Sequence, residues 1–247
     1  MKRTAIILVA GMGTRLKPLT ENNHKCLTEV NGKPILINTL ENLSKNGFEK
    51  VVLVVGYLKE LIYEKIGEEF EGIKIEYVNN DIYRETNTSY SLKLGIDRVK
   101  DDDEIFIFEG DVMFENRLLT DFIASETDNM TVLEMYNILL DGTFVTLDAN
   151  NNVIAWTHKS KRTKGYILED KYKTVNIHKF RKVFVNEVLI PYLDEVVANS
   201  RGREPLETVM NLIAQKNSSI KGFIVDSQKW FEIDDLNDLK KAEEIFS

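Results

Sequence analysis

Cysteine is almost missing from this chain. A single residue, Cys26, in 247 excludes an internal disulfide framework and a metal site built from clustered thiolates. Histidine is nearly as scarce: His24, His158 and His178 show no metal-ligand spacing and read as structural or solvated. No apolar run approaches the ~18 residues of a membrane span. The N-terminal apolar stretch covers only residues 5–10, short for the core of a signal peptide, and is followed by glycines without a cleavage pattern. The expected compartment is therefore the cytoplasm. An excess of positive charge is also lacking: 32 Lys and Arg stand against 40 Asp and Glu, a net charge of −8. Polymeric nucleic acid is not an expected partner of so acidic a chain, and any anionic ligand must be held by a local group of cations and amides. Internal repeats, low-complexity linkers and composition breaks are absent too. At ~100–200 residues per domain, residues 1–247 are expected to form one domain.

The 43% of hydrophobic residues suffice for a sizeable core, and they come in short blocks. Residues 4–9 (TAIILV) and 51–55 (VVLVV) are continuous apolar runs, the pattern of strands buried on both faces of a parallel sheet. Residues 73–78 and 104–108 read as further strands. Helices are predicted between them. One runs from Pro34 to a stop at Gly47, with apolar residues at 35, 36, 40 and 43. Others cover 59–66 and 88–99, the latter with Asn87 or Thr88 as its N-cap. Such alternation predicts an α/β fold with a mostly parallel, doubly wound sheet. The second half is less regular. Strands are expected at 130–134, 143–147, 153–158, 173–180 and 220–225, with helices at 185–198, 205–214 and 235–246. It reads as a smaller β-rich region.

The strongest chemical signal follows the first strand: Ala10-Gly11-Met12-Gly13-Thr14-Arg15-Leu16, then Pro18-Leu19-Thr20, then Lys25. Paired glycines after a buried strand let backbone amides approach a polyphosphate, and Arg15 and Lys25 add fixed positive charge. Two familiar phosphate loops are excluded by position. A Walker A loop ending at Gly32-Lys33 needs Gly at 27 and Ser or Thr at 34, where Leu27 and Pro34 stand. A dinucleotide fingerprint needs a third glycine where Leu16 stands.

This string closely resembles the N-terminal signature of the nucleotidyltransferases that make sugar nucleotides and related CDP- or CMP-activated compounds. Gly56-Tyr57 matches that family's second-strand end, Gly110-Asp111 the strand end of its metal-binding aspartate, and the segment Trp230–Asp235 the place of its second metal aspartate, here Asp234. Asn87–Leu92 resembles a stretch of the bacterial phosphocholine cytidylyltransferases. Lys173–Phe180 and WFEIDDLNDL look closer to the cytidylyltransferase domain that activates 2-aminoethylphosphonate. In some relatives that domain is fused to an aminotransferase; no such domain follows in this sequence, so a stand-alone enzyme and an excised domain both stay open.

The resemblance implies a Rossmann-like nucleotidyltransferase fold. It also implies attack of a phosphonate or phosphate oxygen on the α-phosphorus of CTP, with pyrophosphate leaving and Mg²⁺ held by Asp111 and Asp234. Arg15 and Lys25 are then the catalytic cations. Ala10, Gly11, Gly13, Thr14, Gly56, Tyr57, Asn87, Ser91 and Gly110 are the expected nucleotide contacts, and Asn176 and Trp156 lie on the acceptor side. Structural competitors stand beside several of these: Asp234 precedes a helix, where an N-cap is the usual role and function is only modestly favoured over it, and Asn87 and Ser91 read equally as capping and surface residues. Trp156, with Tyr136 and Tyr166, supplies the material for an aromatic enclosure of a quaternary ammonium. The basic cluster Lys159, Lys161, Arg162 and Lys164 suits either a solvated loop or one that closes over an acidic acceptor. The favoured acceptor is 2-aminoethylphosphonate. Phosphocholine, a sugar-1-phosphate, and a catalytically silent nucleotide-binding regulatory module are the alternatives.

Overall fold

The protein, described by a computed structural model over residues 2–217 and 220–247, is built on a ten-stranded sheet. The first half supplies β1 (Arg3–Val9), the short hairpin β2 (Glu29–Val30) and β3 (Lys33–Pro34), α1 (Ile35–Lys45), β4 (Lys50–Val55), α2 (Lys59–Ile66), β5 (Glu69–Phe70), β6 (Ile73–Asn79), α3 (Thr88–Ile96) and β7 (Glu104–Glu109). Next come β8 (Val112–Phe114), α4 (Asn116–Ala124), β9 (Met130–Met135), β10 (Phe144–Leu147), β11 (Val153–Thr157) and β12 (Tyr172–Arg181). A helical stretch opens as α5 (Lys182–Phe184), passes through a π turn (Val185–Leu189) and continues as α6 (Ile190–Ser200). Finally α7 (Leu206–Asn217), β13 (Lys221–Ile224), β14 (Trp230–Glu232) and α8 (Leu236–Ile245) follow.

Strands β7, β1, β4 and β6 lie side by side and parallel. The period of two along β1 sets the layers. Ala5, Ile7 and Val9 pack with residues of α1, α2 and α4 on one face, while Ile6 and Leu8 pack with α3, α6 and α7 on the other. With both faces covered, the strand must be apolar throughout, as the sequence predicts. Each fully buried branched side chain contributes about 1.5–3 kcal/mol. A smaller cluster of Leu16, Val30, Ile35, Met113, Phe231 and Ile233 seats α8 beside the main body.

The β-rich half is joined through β12, which runs antiparallel to β7. His178 is paired with Ile107 of β7 on one side and Thr131 of β9 on the other, and Tyr172 with Val145 of β10 and Met135 of β9. Strands β7 and β10 therefore follow one another along the same edge of β12. Between them the register against β9 shifts from Thr174 to His178, and Asn176 takes a left-handed φ of 62°, which asparagine tolerates better than most residues. The sheet opens at that point. Several predicted bounds move: the helix expected over 88–99 ends at Ile96, that expected from 185 begins at Lys182, and the strand expected to His158 ends at Thr157. Among the described residues no helix is long and apolar enough to cross a membrane.

Candidate active site

The loop leaving β1 turns at Gly13, whose φ is 57°. Its carbonyl accepts from Thr20 Oγ1 at 2.8 Å and from the Leu16 amide at 3.0 Å. A Cβ there would stand 2.7 Å from Cβ of Lys25, so a side chain at 13 would displace the lysine stem. Gly110 is required by a different approach: a Cβ would meet Val9 Cγ1 at 2.3 Å and the Leu8 carbonyl at 2.9 Å. Crossing so close to β1 brings Asp111 to the mouth of that loop.

These segments enclose a cleft of about 330 Å³. Of the residues predicted from sequence, Ala10, Gly11, Gly13, Thr14, Arg15, Lys25, Asn87, Ser91, Gly110, Asp111 and Asp234 line it. A second cavity of about 510 Å³ shares Arg15, Asn87, Glu109, Asp111 and Asp234 with the first and adds Asn176 and Trp156. Gly56 and Tyr57 line neither. They brace the loop from outside: the Tyr57 amide donates to the Ala10 carbonyl at 3.1 Å, and a Cβ on Gly56 would lie 2.8 Å from that oxygen.

The two cavities meet at a dense charge cluster. Lys25 Nζ lies 2.6 Å from Asp111 Oδ2 and 2.8 Å from Asp234 Oδ1, and Arg15 approaches that same Asp234 oxygen at 2.8 Å. Burial works against the Lys25 cation, but the two carboxylates outweigh it and raise its pKa. Burial likewise works against ionised Asp234, and Lys25 and then Arg15 overcome it, holding its carboxyl below the ordinary value. The capping competitor for Asp234 falls away. Asp235 caps α8, accepting from the amides of Asn237 and Asp238, and Asp238 answers in a capping box. Asn87 does cap α3 and also lines both cavities. Ser91 is buried and accepts from Asn80 Nδ2 at 3.1 Å.

Sequence reasoning missed three members of the cluster, Glu109, Glu232 and Lys173. Glu109, Asp111 and Glu232 each offer an oxygen within 4.8 Å of the others. Asn176 Nδ2 spans two of them, at 3.3 Å from Glu109 and 3.1 Å from Glu232. Lys173, almost wholly buried, pairs with Glu232 at 2.8 Å and donates to the Thr174 carbonyl at 2.6 Å. Burial first, then neighbouring carboxylates, push the Glu109 and Glu232 carboxyls above their ordinary range, while Lys173 pulls both down. A signal was available: Glu109-x-Asp111 and Glu232-x-Asp234 repeat one acidic spacing at two strand ends. Hard carboxylate oxygens suit a divalent cation such as Mg²⁺, and Asp111 Oδ1 is buried without a partner, so the residues present fit an ion here.

Two of the histidines hold backbone amides, and the third lies beside a threonine hydroxyl. His24 Nδ1 accepts from the Cys26 amide at 3.1 Å, and burial lowers its pKa to about 4. His158 Nδ1 accepts from the Ser160 amide at 3.2 Å. His178 lies beside Thr131 Oγ1 at 3.0 Å, and burial lowers its pKa to about 3. Of the three aromatics considered for an enclosure, Trp156 alone lines the second cavity; Tyr136 packs against Phe144, ring centroids 5.5 Å apart. In the basic cluster, Lys159 and Lys161 line that cavity, whereas Arg162 turns to the Gly142 carbonyl and lies over the Phe144 ring.

Known proteins resemble the chain over nearly all its length. It is 31% identical over 244 residues to CMP-5'-(3-aminopropyl)phosphonate synthase of Streptomyces rubellomurinus, covering 98% of this chain and 38% of that protein. To a UTP–glucose-1-phosphate uridylyltransferase of Haloferax volcanii it is 38% identical over 114 residues, covering 46% of this chain and 45% of the relative. The chain thus spans less than half the length of these curated relatives. The structure of CTP:phosphocholine cytidylyltransferase from Streptococcus pneumoniae superposes with a TM-score of 0.80 at 24% identity, covering 100% of both chains, which confirms the fold. Residues 4–244 match the nucleotidyl transferase family, and the chain belongs to it.

Proposed function

We propose that the chain is a CTP-dependent cytidylyltransferase that transfers CMP to an aminoalkylphosphonate, with 2-aminoethylphosphonate as the first candidate, and releases pyrophosphate. The observation that carries this reading is the pair of cavities meeting at Arg15, Asp111 and Asp234, together with similarity, over 98% of this chain and 38% of the relative, to a CMP-phosphonate synthase. The glycine loop and cationic side chains suit the cleft of Gly11 and Gly13 to a triphosphate, and the cavity of Asn176 and Trp156 to the acceptor. An oxygen of the phosphonate attacks the α-phosphorus, and the bond to the β-phosphate bridge breaks. The acceptor oxygen is already anionic near neutral pH, so no strong general base is needed. The work is to juxtapose two anions and to stabilise charge on the leaving pyrophosphate. Arg15 and Lys25 face the phosphates. Asp111 and Asp234 are the proposed metal ligands, with Glu109 and Glu232 beside them, and Mg²⁺ when bound neutralises developing charge on the phosphate oxygens. Asn176 orients both glutamates.

A primary ammonium needs hydrogen-bond acceptors, whereas a trimethylated cation is best held by aromatic faces. The acceptor cavity carries Glu204, Glu207 and Glu232 in its wall and one tryptophan, which favours the primary amine. Phosphocholine is the second reading, supported by Trp156. A pyrophosphate-release assay with CTP, UTP and dTTP against 2-aminoethylphosphonate, phosphocholine and glucose-1-phosphate tests both. The expected result is the highest kcat/KM for CTP with 2-aminoethylphosphonate. A preference for phosphocholine that weakens in Trp156→Ala overturns the acceptor assignment, and no release with any pair leaves the regulatory-module reading.

A further inference from the structure

Asp111 and Asp234 do not wait as free carboxylates. Lys25 Nζ stands between them, within 2.6 Å of one and 2.8 Å of the other, and Arg15 reaches the same oxygen of Asp234 at 2.8 Å. The lysine side chain is 14% exposed and its stem runs flush against Gly13. Asp111 Oδ2 and Asp234 Oδ1, one oxygen of each proposed metal ligand, are the atoms it occupies. A dication and an ammonium repel strongly at such separations in a partly desolvated site, so the two cannot share these oxygens. To leave them, Lys25 needs another anion. A triphosphate in the adjoining cleft would supply it, since Lys25 and Arg15 both line that cleft.

We infer that Lys25, assisted by Arg15, is a resident counter-cation that occupies the divalent-metal position of the nucleotide-free protein, so that tight metal capture requires a triphosphate to draw the lysine away. This rests on the reading that Asp111 and Asp234 take the metal. The device couples the two ligands: each lowers the cost of admitting the other, and by linkage the coupling is reciprocal. It also keeps the buried carboxylates neutralised when no nucleotide is present.

The test is Mn²⁺ binding to the full chain without nucleotide, read by the loss of the free-ion EPR signal. Lys25→Met is expected to bind Mn²⁺ at least tenfold more tightly than the wild type, and Lys25→Arg to bind as weakly as the wild type. Arg15 is 60% exposed, so Arg15→Gln is a variant that leaves packing alone; it is expected to bind severalfold more tightly. Adding Asp111→Asn to Lys25→Met should abolish the gain. If neither Lys25→Met nor Arg15→Gln tightens Mn²⁺ binding while Asp111→Asn still weakens it, the counter-cation role is wrong and the ligand assignment stands. If Asp111→Asn leaves Mn²⁺ binding unchanged in every background, the ligand assignment itself is wrong and the inference falls with it.

Discussion

Replacing Lys173 by methionine keeps the side chain as far as its fourth atom and removes its charge. The lysine is 3% exposed and its partner Glu232 is 20% exposed. Taking one partner from a buried ion pair costs about 3–5 kcal/mol, because the remaining charge is left uncompensated. For a chain of this size each kcal/mol moves the melting temperature by roughly 2–4 °C, so Lys173→Met should melt about 6–20 °C below the wild type near pH 8. The pH dependence carries the sharper test. Glu109 and Glu232 already titrate above the ordinary carboxylate range, and Lys173 is the cation that pulls both down. Without it they move higher still. A carboxyl raised in the folded state contributes stability that is present below its unfolded value and is lost as pH rises through its folded value. The deficit of Lys173→Met relative to wild type should therefore shrink as pH falls from 8 to 5. Thermal melts of both proteins in EDTA across that range measure it directly. An equal deficit at pH 8 and pH 5 would show that Lys173 acts through packing alone and refute the electrostatic account of the cluster.

Asp111→Asn and Asp234→Asn are each expected to abolish most pyrophosphate release while circular dichroism stays native; near-normal turnover in a folded Asp111→Asn would remove that residue from the metal site. Gly110→Ala forces a methyl group against Val9 and the Leu8 carbonyl, which should destabilise by about 1–3 kcal/mol and displace Asp111, read as a lower urea midpoint together with lost activity. His178, with its pKa lowered from 6.5 to about 3 by burial, binds no proton in the folded chain where the unfolded chain does. Its contribution to stability therefore falls as pH drops below about 6.5, by up to about 1.4 kcal/mol per pH unit. A His178→Gln variant should lose that share of the acid slope in urea titrations, and an unchanged slope would assign the acid sensitivity elsewhere.

The parallel core was legible because continuous burial writes itself as continuous apolarity: β1 and β4 needed no tertiary information. Helix α4 was legible in principle, since Leu118, Leu119 and Phe122 fall on one helical face and are buried, but it sits between motifs that drew the reading past it. The π turn at Val185–Leu189 left no local mark, because its residues are helix-compatible throughout. At the site, the glycines and cations could be read from spacing after a strand. Glu109, Glu232 and Lys173 could not be weighted in that way. Their importance comes from three strands, β7, β12 and β14, converging where the sheet opens, and only the pairing of distant segments brings them together. Asn176 was named from resemblance, yet its grip on two glutamates depends on a left-handed backbone that no sequence pattern predicts.

The way β12 is shared has a consequence for engineering acceptor choice. Residues 136–171 leave β9 after Met135 and rejoin it at Tyr172 of β12, which is paired with Met135. The Tyr136 amide also donates to the Lys171 carbonyl at 2.9 Å across the base of the excursion. The segment carries β10, β11, Trp156 and the basic turn, but none of the residues that line the cleft of Gly11 and Gly13. It is thus a cassette with clasped ends. Exchange with the corresponding segment of a relative would have to match the pairing of β10 with β12, the anchorage on α7, where Asn211 Oδ1 receives the Trp156 amide at 3.0 Å, and the contact just before β13, where the Val153 amide donates to the Ile220 carbonyl at 2.8 Å. On the proposed function, the part of the acceptor wall that runs from Gly142 to Lys161 could in this way be exchanged while the loop of Gly11 and Gly13 stays unchanged.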